Sequence, residues 1–470
     1  MKKKYFIAFS SLILPSLTYS QNKGLNVVFI MADDLGLNDT GYTGSDFYET
    51  PNIDKLAKEG MIFTNAYASA ANSAPSRACF MSGMYTPRHG VFTVSPPDRG
   101  DRIKRKLIPV PNVDDLRKDI PTMGELFKRN GYRCGHIGKW HLGDDADGTG
   151  PLSRGFDVNI AGGRAGTPYS YYYPYCNEKG MCHIGLEKGK RGEYLTDRLT
   201  DEAVDFIKES VRGEQPFFLY LAHHAVHTPI TATKQIVAKY EKKAKGKYHT
   251  NSVYAAMIET LDNSVGKIHD IIDSLGISEN TIIIFNSDNG GSEPITDNYT
   301  VRGGKGMPYE GGNRVPLIIK WPHVTQAGCT SDCPVNNIDF FSTFQMYLEG
   351  KVGTELDGVD LYPLLSNNKS YIERDLFWHF PAYLESYTDG GKGFRAKPYT
   401  SIRSGKWKLI YYYEDKNVEL FDLDKDPMET HDLSCVKKEI VSVLKKKIFD
   451  WIKTVNAPIP TELNPYYEGN

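Results

Sequence analysis

The chain contains no long apolar run beyond its first twenty residues, so nothing later in the sequence is expected to span a bilayer. It carries no strong excess of one charge: 56 Lys and Arg stand against 58 Asp and Glu, a formal net of −2. That balance excludes a generic nucleic-acid or membrane-surface binder. Cysteine is sparse, with seven in 470 residues, and no pair has zinc spacing with nearby histidines. No internal repeat, low-complexity tract or long linker divides the chain.

The first twenty residues, MKKKYFIAFSSLILPSLTYS, have a basic start, a short apolar stretch and small polar residues at the end. This is the pattern of a secretory signal cleaved near Ser20, and no cysteine follows closely enough for a lipid anchor. The mature protein is expected to be exported, periplasmic or secreted. Export permits disulfides, and Cys176–Cys182 and Cys329–Cys333 are close enough in sequence to pair. With an odd number of cysteines, at least one thiol stays unpaired.

Apolar runs rich in valine and isoleucine occur at Asn26–Ala32, Phe217–Ala222, Thr281–Phe285 and Leu317–Ile319. Helical spacing separates them, clearest from Tyr254 to Leu275 and from Leu195 to Ile207. Continuous apolar strands alternating with helices predict an α/β fold: a large, mostly parallel sheet sandwiched by helices. From about residue 376 the texture changes. Tyr399–Tyr413 and Val418–Leu423 read as antiparallel strands with a turn at Ser404-Gly405, and a helix follows from Val436 to Val455. The expected organisation is a signal at 1–20, a catalytic domain at 21–375 and a smaller antiparallel-sheet-plus-helix subdomain at 376–470.

Chemistry-bearing residues collect where the strands end. The first strand runs into Asp33-Asp34-Leu35-Gly36 and another into Asp288-Asn289-Gly290-Gly291. Phe217–Ala222 delivers His223, His224 and His227, and the segment 132–138 delivers Lys139-Trp140-His141. Sites in parallel α/β sheets form at the carboxyl ends of strands. Asp33, Asp34, Asp288 and Asn289 make a hard-oxygen set suited to calcium or magnesium. Arg77, Lys139, His141, His227 and Lys305 make a cationic set suited to a tetrahedral oxyanion. The stretch Ser73-Ala74-Pro75-Ser76-Arg77, taken alone, is an ordinary helix start with serine as the N-cap and Gly83 as the stop. Beside the other two sets, Ser73 becomes a candidate nucleophile.

These motifs occur in an order that resembles the formylglycine-dependent (type I) sulfatases of the alkaline phosphatase superfamily. The order runs through Met31–Gly36, Ser73–Arg77 with Ser82-Gly83, Gly138–Gly143, Gly155-Phe156-Asp157, Val226–Pro229, Ser287–Gly290, Lys305, and Glu310–Pro316. The resemblance implies that a radical S-adenosylmethionine maturation enzyme converts Ser73 to formylglycine. The hydrated aldehyde would attack sulfur through one hydroxyl, and loss of a proton from the other would expel sulfate. It further implies that Asp33, Asp34, Asp288, Asn289 and modified Ser73 ligate one calcium ion. Arg77 and Lys139 would position the diol, and Asp288 would take its proton. His141 would assist sulfate release, while His227 and Lys305 would bind sulfate and protonate the leaving oxygen.

The implied substrate is a sulfated carbohydrate, a polysaccharide or glycosaminoglycan with sulfated galactose or N-acetylgalactosamine. Arg164, the tyrosine-rich run Tyr169–Tyr175 and His379 are candidates for its rim. Two alternatives stay open: a phosphate-ester hydrolase of the same superfamily using Ser73 directly, and a catalytically silent sulfated-glycan binding protein.

Overall fold

The computed structural model of the chain describes residues 24–366 and 371–469, so the signal expected at 1–20 lies outside the described residues. Strands β1 (Asn26–Ala32), β2 (Met61–Phe63), β3 (Arg133–Gly138), β4 (Val158–Ile160), β5 (Phe217–Ala222), β6 (Thr281–Ser287), β7 (Leu317–Lys320) and β8 (Thr330–Ser331) form one eight-stranded sheet. Their order is β4-β3-β5-β1-β6-β7-β2-β8. The five strands from β4 to β6 are mutually parallel. The Leu317 strand departs from the parallel expectation, since β7 is antiparallel to both neighbours.

Every residue of β1 is buried, and alternate side chains enter different layers. Val28 and Ile30 join an apolar layer with helices α2 (Leu195–Arg212) and α3 (Ser252–Ser274). Val27, Phe29 and Met31 join the opposite layer, which includes Phe80 from α1 (Ser73–Ser82) and Phe340 from α4 (Asp339–Glu349). Phe29 packs at 4.5 Å from Phe80 and edge-on at 5.0 Å to Phe340, ring centre to ring centre. A strand covered on both faces has no use for polar alternation, which is why it reads as a continuous apolar run. Truncating Phe29 to alanine would cost about 3–5 kcal/mol.

Beyond this sheet, β9 (Asp375–Phe380), β10 (Tyr399–Ser404), β11 (Trp407–Tyr412) and β12 (Val418–Asp422) form an antiparallel sheet in that order. Helix α5 (Lys438–Thr454) covers it through Leu444, Ile448 and Ile452, and Trp451 stacks on Phe377 at 4.7 Å. A short hairpin, Leu384–Glu385 with Phe394–Ala396, projects between β9 and β10.

Cys176 and Cys182 form a disulfide, but Cys329 and Cys333 are free thiols. Among the described residues, no helix is long and apolar enough to cross a membrane.

Candidate active site

Sheet register brings the chemistry together. Gly138 of β3 pairs with Ala222 of β5, Met31 of β1 also pairs with Ala222, and Ala32 of β1 pairs with Ser287 of β6. Four neighbouring strands therefore end at one level, and the residues just after them share one space. Along a regular strand Asp33 and Asp34 would point to opposite faces. Asp34 instead has φ of 64°, a left-handed conformation that breaks the alternation and costs about 1–3 kcal/mol. His141 has the same φ of 64°.

Helix α1 approaches from one side, with Asn72 and not Ser73 at the N-cap position. The expectation that Ser73 caps the helix is therefore corrected. Ser73 is the first helical residue, and its Oγ lies 3.1 Å from Asp33 Oδ1 and 3.2 Å from Asn289 Oδ1. One turn on, Arg77 donates through Nε to Asp288 Oδ2 at 2.9 Å and through a terminal nitrogen to the Lys139 carbonyl at 3.0 Å. Lys139 Nζ donates to Asp33 Oδ2 at 2.7 Å, and Lys305 Nζ donates to Asp34 Oδ2 at 2.7 Å. Asn289 Nδ2 donates to the other Asp34 oxygen at 2.8 Å, leaving its own Oδ1 turned toward Ser73. All of the residues singled out as nucleophile, metal ligands and cationic set are thus in or against one cluster.

The side chains of Asp33, Asp34, Asp288 and Asn289 are buried, between 0% and 4% exposed. Three carboxylates and an amide oxygen converging beside Ser73 fit a hard divalent cation by donor chemistry. Asp33, Asp34 and His227 bring ligand atoms within 4.8 Å of one another, so His227 lies at the edge of the same group.

Burial alone would raise the Asp34 carboxyl, but Lys305, then His227 and Lys139, outweigh it and hold Asp34 well below the usual carboxylate range. Burial, reinforced by Asp33, pushes Asp288 up, although Arg77 opposes this. Burial pushes the Lys139 ammonium down despite Asp33. His141 is driven well below its ordinary value by burial and then by Lys139 and Arg77. His227 is lowered to about 4, chiefly by burial. Its Nδ1 lies 2.7 Å from the Thr228 carbonyl oxygen, so that nitrogen carries the proton. Nε2 then has the lone pair and accepts from Lys305 Nζ at 3.0 Å.

A cavity of about 290 Å³ opens onto this cluster, with Ser73, Asp34, His141, His227 and Lys305 on its inner wall. Sequence reasoning missed its outer wall: Arg99, Glu385, Tyr387 and Arg395. No motif marks them, because they come from two loops nearly three hundred residues apart.

The expected rim residues mostly lie elsewhere. His379 is buried in the C-terminal sheet, with one ring nitrogen 2.7 Å from Thr400 Oγ1 and the other 2.9 Å from the Pro458 carbonyl, so it does not reach the cavity. Arg164 is held by Asp115, Asp144 and Asp147. Tyr171 is buried and donates to the carbonyls of His224 and His227, bracing the loop from beneath. His223 is also structural, 2.8 Å from Ser264 Oγ in helix α3.

The family model named Sulfatase matches residues 25–349, which takes in both the eight-stranded sheet and the cluster. The chain belongs to the sulfatase family. It is a sulfuric ester hydrolase of the alkaline phosphatase superfamily. A second model, for the C-terminal part of N-sulphoglucosamine sulphohydrolase, matches residues 304–454. This sulfatase is 32% identical to a sulfatase of Formosa agariphila over 97% of this chain and 95% of that one. It is 30% identical to the N-acetylgalactosamine-6-sulfatase of Mus musculus, over 90% and 84%. Among solved structures it resembles Ps i-CgsB in complex with k-i-k-neocarrahexaose, with a TM-score of 0.76, 31% identity and 94% and 95% coverage.

Proposed function

We propose that this sulfatase removes sulfate from a sulfated carbohydrate as an exported protein, through a formylglycine made from Ser73 and one calcium ion. The observation that carries the proposal is Ser73 at a helix start, within 3.2 Å of two oxygens of a buried hard-ligand set and on the wall of a cavity rimmed by cations. Asp33, Asp34, Asp288 and Asn289 would hold the calcium, which with the hydrated aldehyde supplies an activated hydroxyl next to the ester sulfur.

The chain's own residues do the rest. The first-turn amides of α1 and the guanidinium of Arg77 favour negative charge at residue 73. Arg77 is itself held by Asp288 and the Lys139 carbonyl, so its position costs nothing during reaction. Lys139, fully buried, is paired with Asp33 and would help position the diol, while Lys305, on the cavity wall and paired with Asp34, can take charge as it grows on the sulfate oxygens. Lys305, on the cavity wall, is the proposed donor of a proton to the departing sugar oxygen. His227, with its proton on Nδ1, turns the Nε2 lone pair to Lys305 Nζ and so holds that ammonium in place for the transfer. His141 lies on the same wall, its Nδ1 unbonded among the described residues, as a candidate for sulfate release.

The relatives support a glycan substrate: one is named for N-acetylgalactosamine 6-sulfate, and another was solved with a neocarrahexaose. Sulfated galactose or N-acetylgalactosamine is therefore the proposed unit, and a radical S-adenosylmethionine enzyme the proposed maturation partner. The test is the mass of the residue-73 peptide from protein made in its native host. Loss of two hydrogens from serine, aldehyde reactivity and release of inorganic sulfate are expected. An unchanged serine in protein that still releases sulfate would overturn the mechanism. An unchanged serine in inactive protein that binds sulfated glycans would favour the silent binder, and turnover of phosphate esters alone would favour the phosphatase.

A further inference from the structure

Among the described residues, the outer wall of the cavity carries one more cation than anion. Its ionic lining consists of Asp34, Lys305, Arg99, Glu385 and Arg395, besides the histidines. Asp34 is paired with Lys305, and Glu385 with Arg99. Arg395 has no ion-pair partner among the described residues, and its Nε is buried without a hydrogen bond. Its guanidinium carbon lies over the Tyr387 ring, 3.9 Å from the ring centre.

Its position is tied to the reacting end of the cavity. The Nε of Arg395 sits where a side chain at Gly306 would begin, 2.7 Å from the ideal Cβ position, so Arg395 packs directly on the residue after Lys305. Tyr387 leans on the same backbone, donating to the Lys305 carbonyl at 3.4 Å. In the hairpin Leu384 pairs with Ala396 and Glu385 with Phe394, so Arg395 falls at the irregularity between the two pairs. A guanidinium packed against an aromatic ring presents a planar fork with less rotamer freedom left to lose, an arrangement suited to a carboxylate or sulfate through two hydrogen bonds.

Resting on the glycan sulfatase reading above, we propose that Arg395 forms a second anion subsite for this enzyme. It receives a further sulfate or a carboxylate on the same or the adjoining sugar, one residue away from the Lys305 side of the scissile sulfate. The preferred substrate is then a polyanionic glycan and not an isolated sulfated sugar. Arg99, already committed to Glu385, would assist only if that pair opens.

The test measures kcat/KM for release of inorganic sulfate by the matured enzyme. The probes are N-acetylgalactosamine 6-sulfate, N-acetylgalactosamine 4,6-disulfate, and a disaccharide carrying the 6-sulfate with a neighbouring uronate. The wild type is expected to prefer at least one two-anion probe by about tenfold, the scale of one charge-assisted hydrogen bond. Which probe gains tells sulfate from carboxylate. In Arg395→Gln the preference is expected to fall below about threefold, with Arg395→Lys between, because lysine keeps the charge but not the fork. Wild type with no preference, or an unchanged preference in Arg395→Gln protein of normal melting temperature, would overturn the subsite. Turnover of 4-nitrophenyl sulfate by the wild type, measured alongside, reports on the glycan-independent chemistry. If that turnover is present and the preference absent, the subsite fails alone; if no sulfate ester is cleaved, the functional reading fails first.

Discussion

Two clusters of buried charge lie in this molecule, and they differ in what surrounds them. The first is the acid and cation set at the strand ends. The second lies where Glu310 and Glu429 meet the C-terminal sheet. There Lys408 of β11, fully buried, donates to Glu310 at 3.0 Å and contacts Glu429 at 2.8 Å. Tyr67 donates to the other Glu310 oxygen at 2.6 Å, and the Glu310 amide donates to Glu429 at 2.7 Å. In this second cluster Glu310 is lowered to about 2, where Lys408 and then Arg403 overcome burial, while Glu429 is pushed up to about 7 by burial and its acidic neighbour. Its three charged members, Glu310, Lys408 and Glu429, are at most 1% exposed. The same residue types therefore have two uses. Sealed and mutually paired, they lock two sheets together; arranged around an opening, they await a ligand.

Substitutions should separate the two clusters cleanly. The largest effect is expected at Ser73: Ser73→Ala should reduce sulfate-ester turnover by about 10⁴-fold or more, as loss of a nucleophile does, with a small change in melting temperature. Lys408→Ala should do the reverse. Leaving two carboxylates buried without their cation should cost about 3–5 kcal/mol, read by denaturant unfolding, while the folded fraction keeps its kcat. A Lys408→Ala enzyme that is stable but inactive would erase the distinction.

Calcium should also act on one cluster only. Chelation should abolish turnover, and calcium returned at a hundred times its Kd should add about 2.7 kcal/mol of stability to the wild type. That gain should be lost in Asp288→Ala and kept in Glu429→Gln.

Acid should weaken the fold as a whole by a route outside both clusters. His89, His136 and His223 are lowered to about 3, and His183 and His379 to about 4, in each case chiefly by burial. The unfolded chain protonates these rings near their ordinary value of 6.5, so between that pH and about 3 it binds more protons than the folded chain. Stability is therefore complete above pH 6.5 and falls as pH drops toward 3, by about 1.4 kcal/mol per ring for each unit of separation. Melting temperatures across that range check the sign. The smallest effect is expected at Arg164, half exposed among three surface acids: Arg164→Ala should change stability by less than about 1 kcal/mol.

The parts that could be read without coordinates share a cause. Asp33, Asp34, Asp288, Asn289, Lys139, His141 and His227 each lie within five residues of a strand end, and a chain that buries a parallel strand on both faces must put its polar residues at the ends. Ser73 and Arg77 are one helical turn apart, so local spacing alone sets them on one side of α1. Strand, helix and motif order were local properties, written in consecutive residues. Tertiary structure alone decided that His379 turns into its own sheet toward Thr400 and Pro458, that Cys329 and Cys333 stay unpaired, and that Asn72 displaces Ser73 from the cap. It also decided the outer wall. Arg99 and Arg395 meet only because a hairpin of the C-terminal part folds back over the strand ends, and a contact between such distant residues leaves no periodicity or spacing in the chain that makes it.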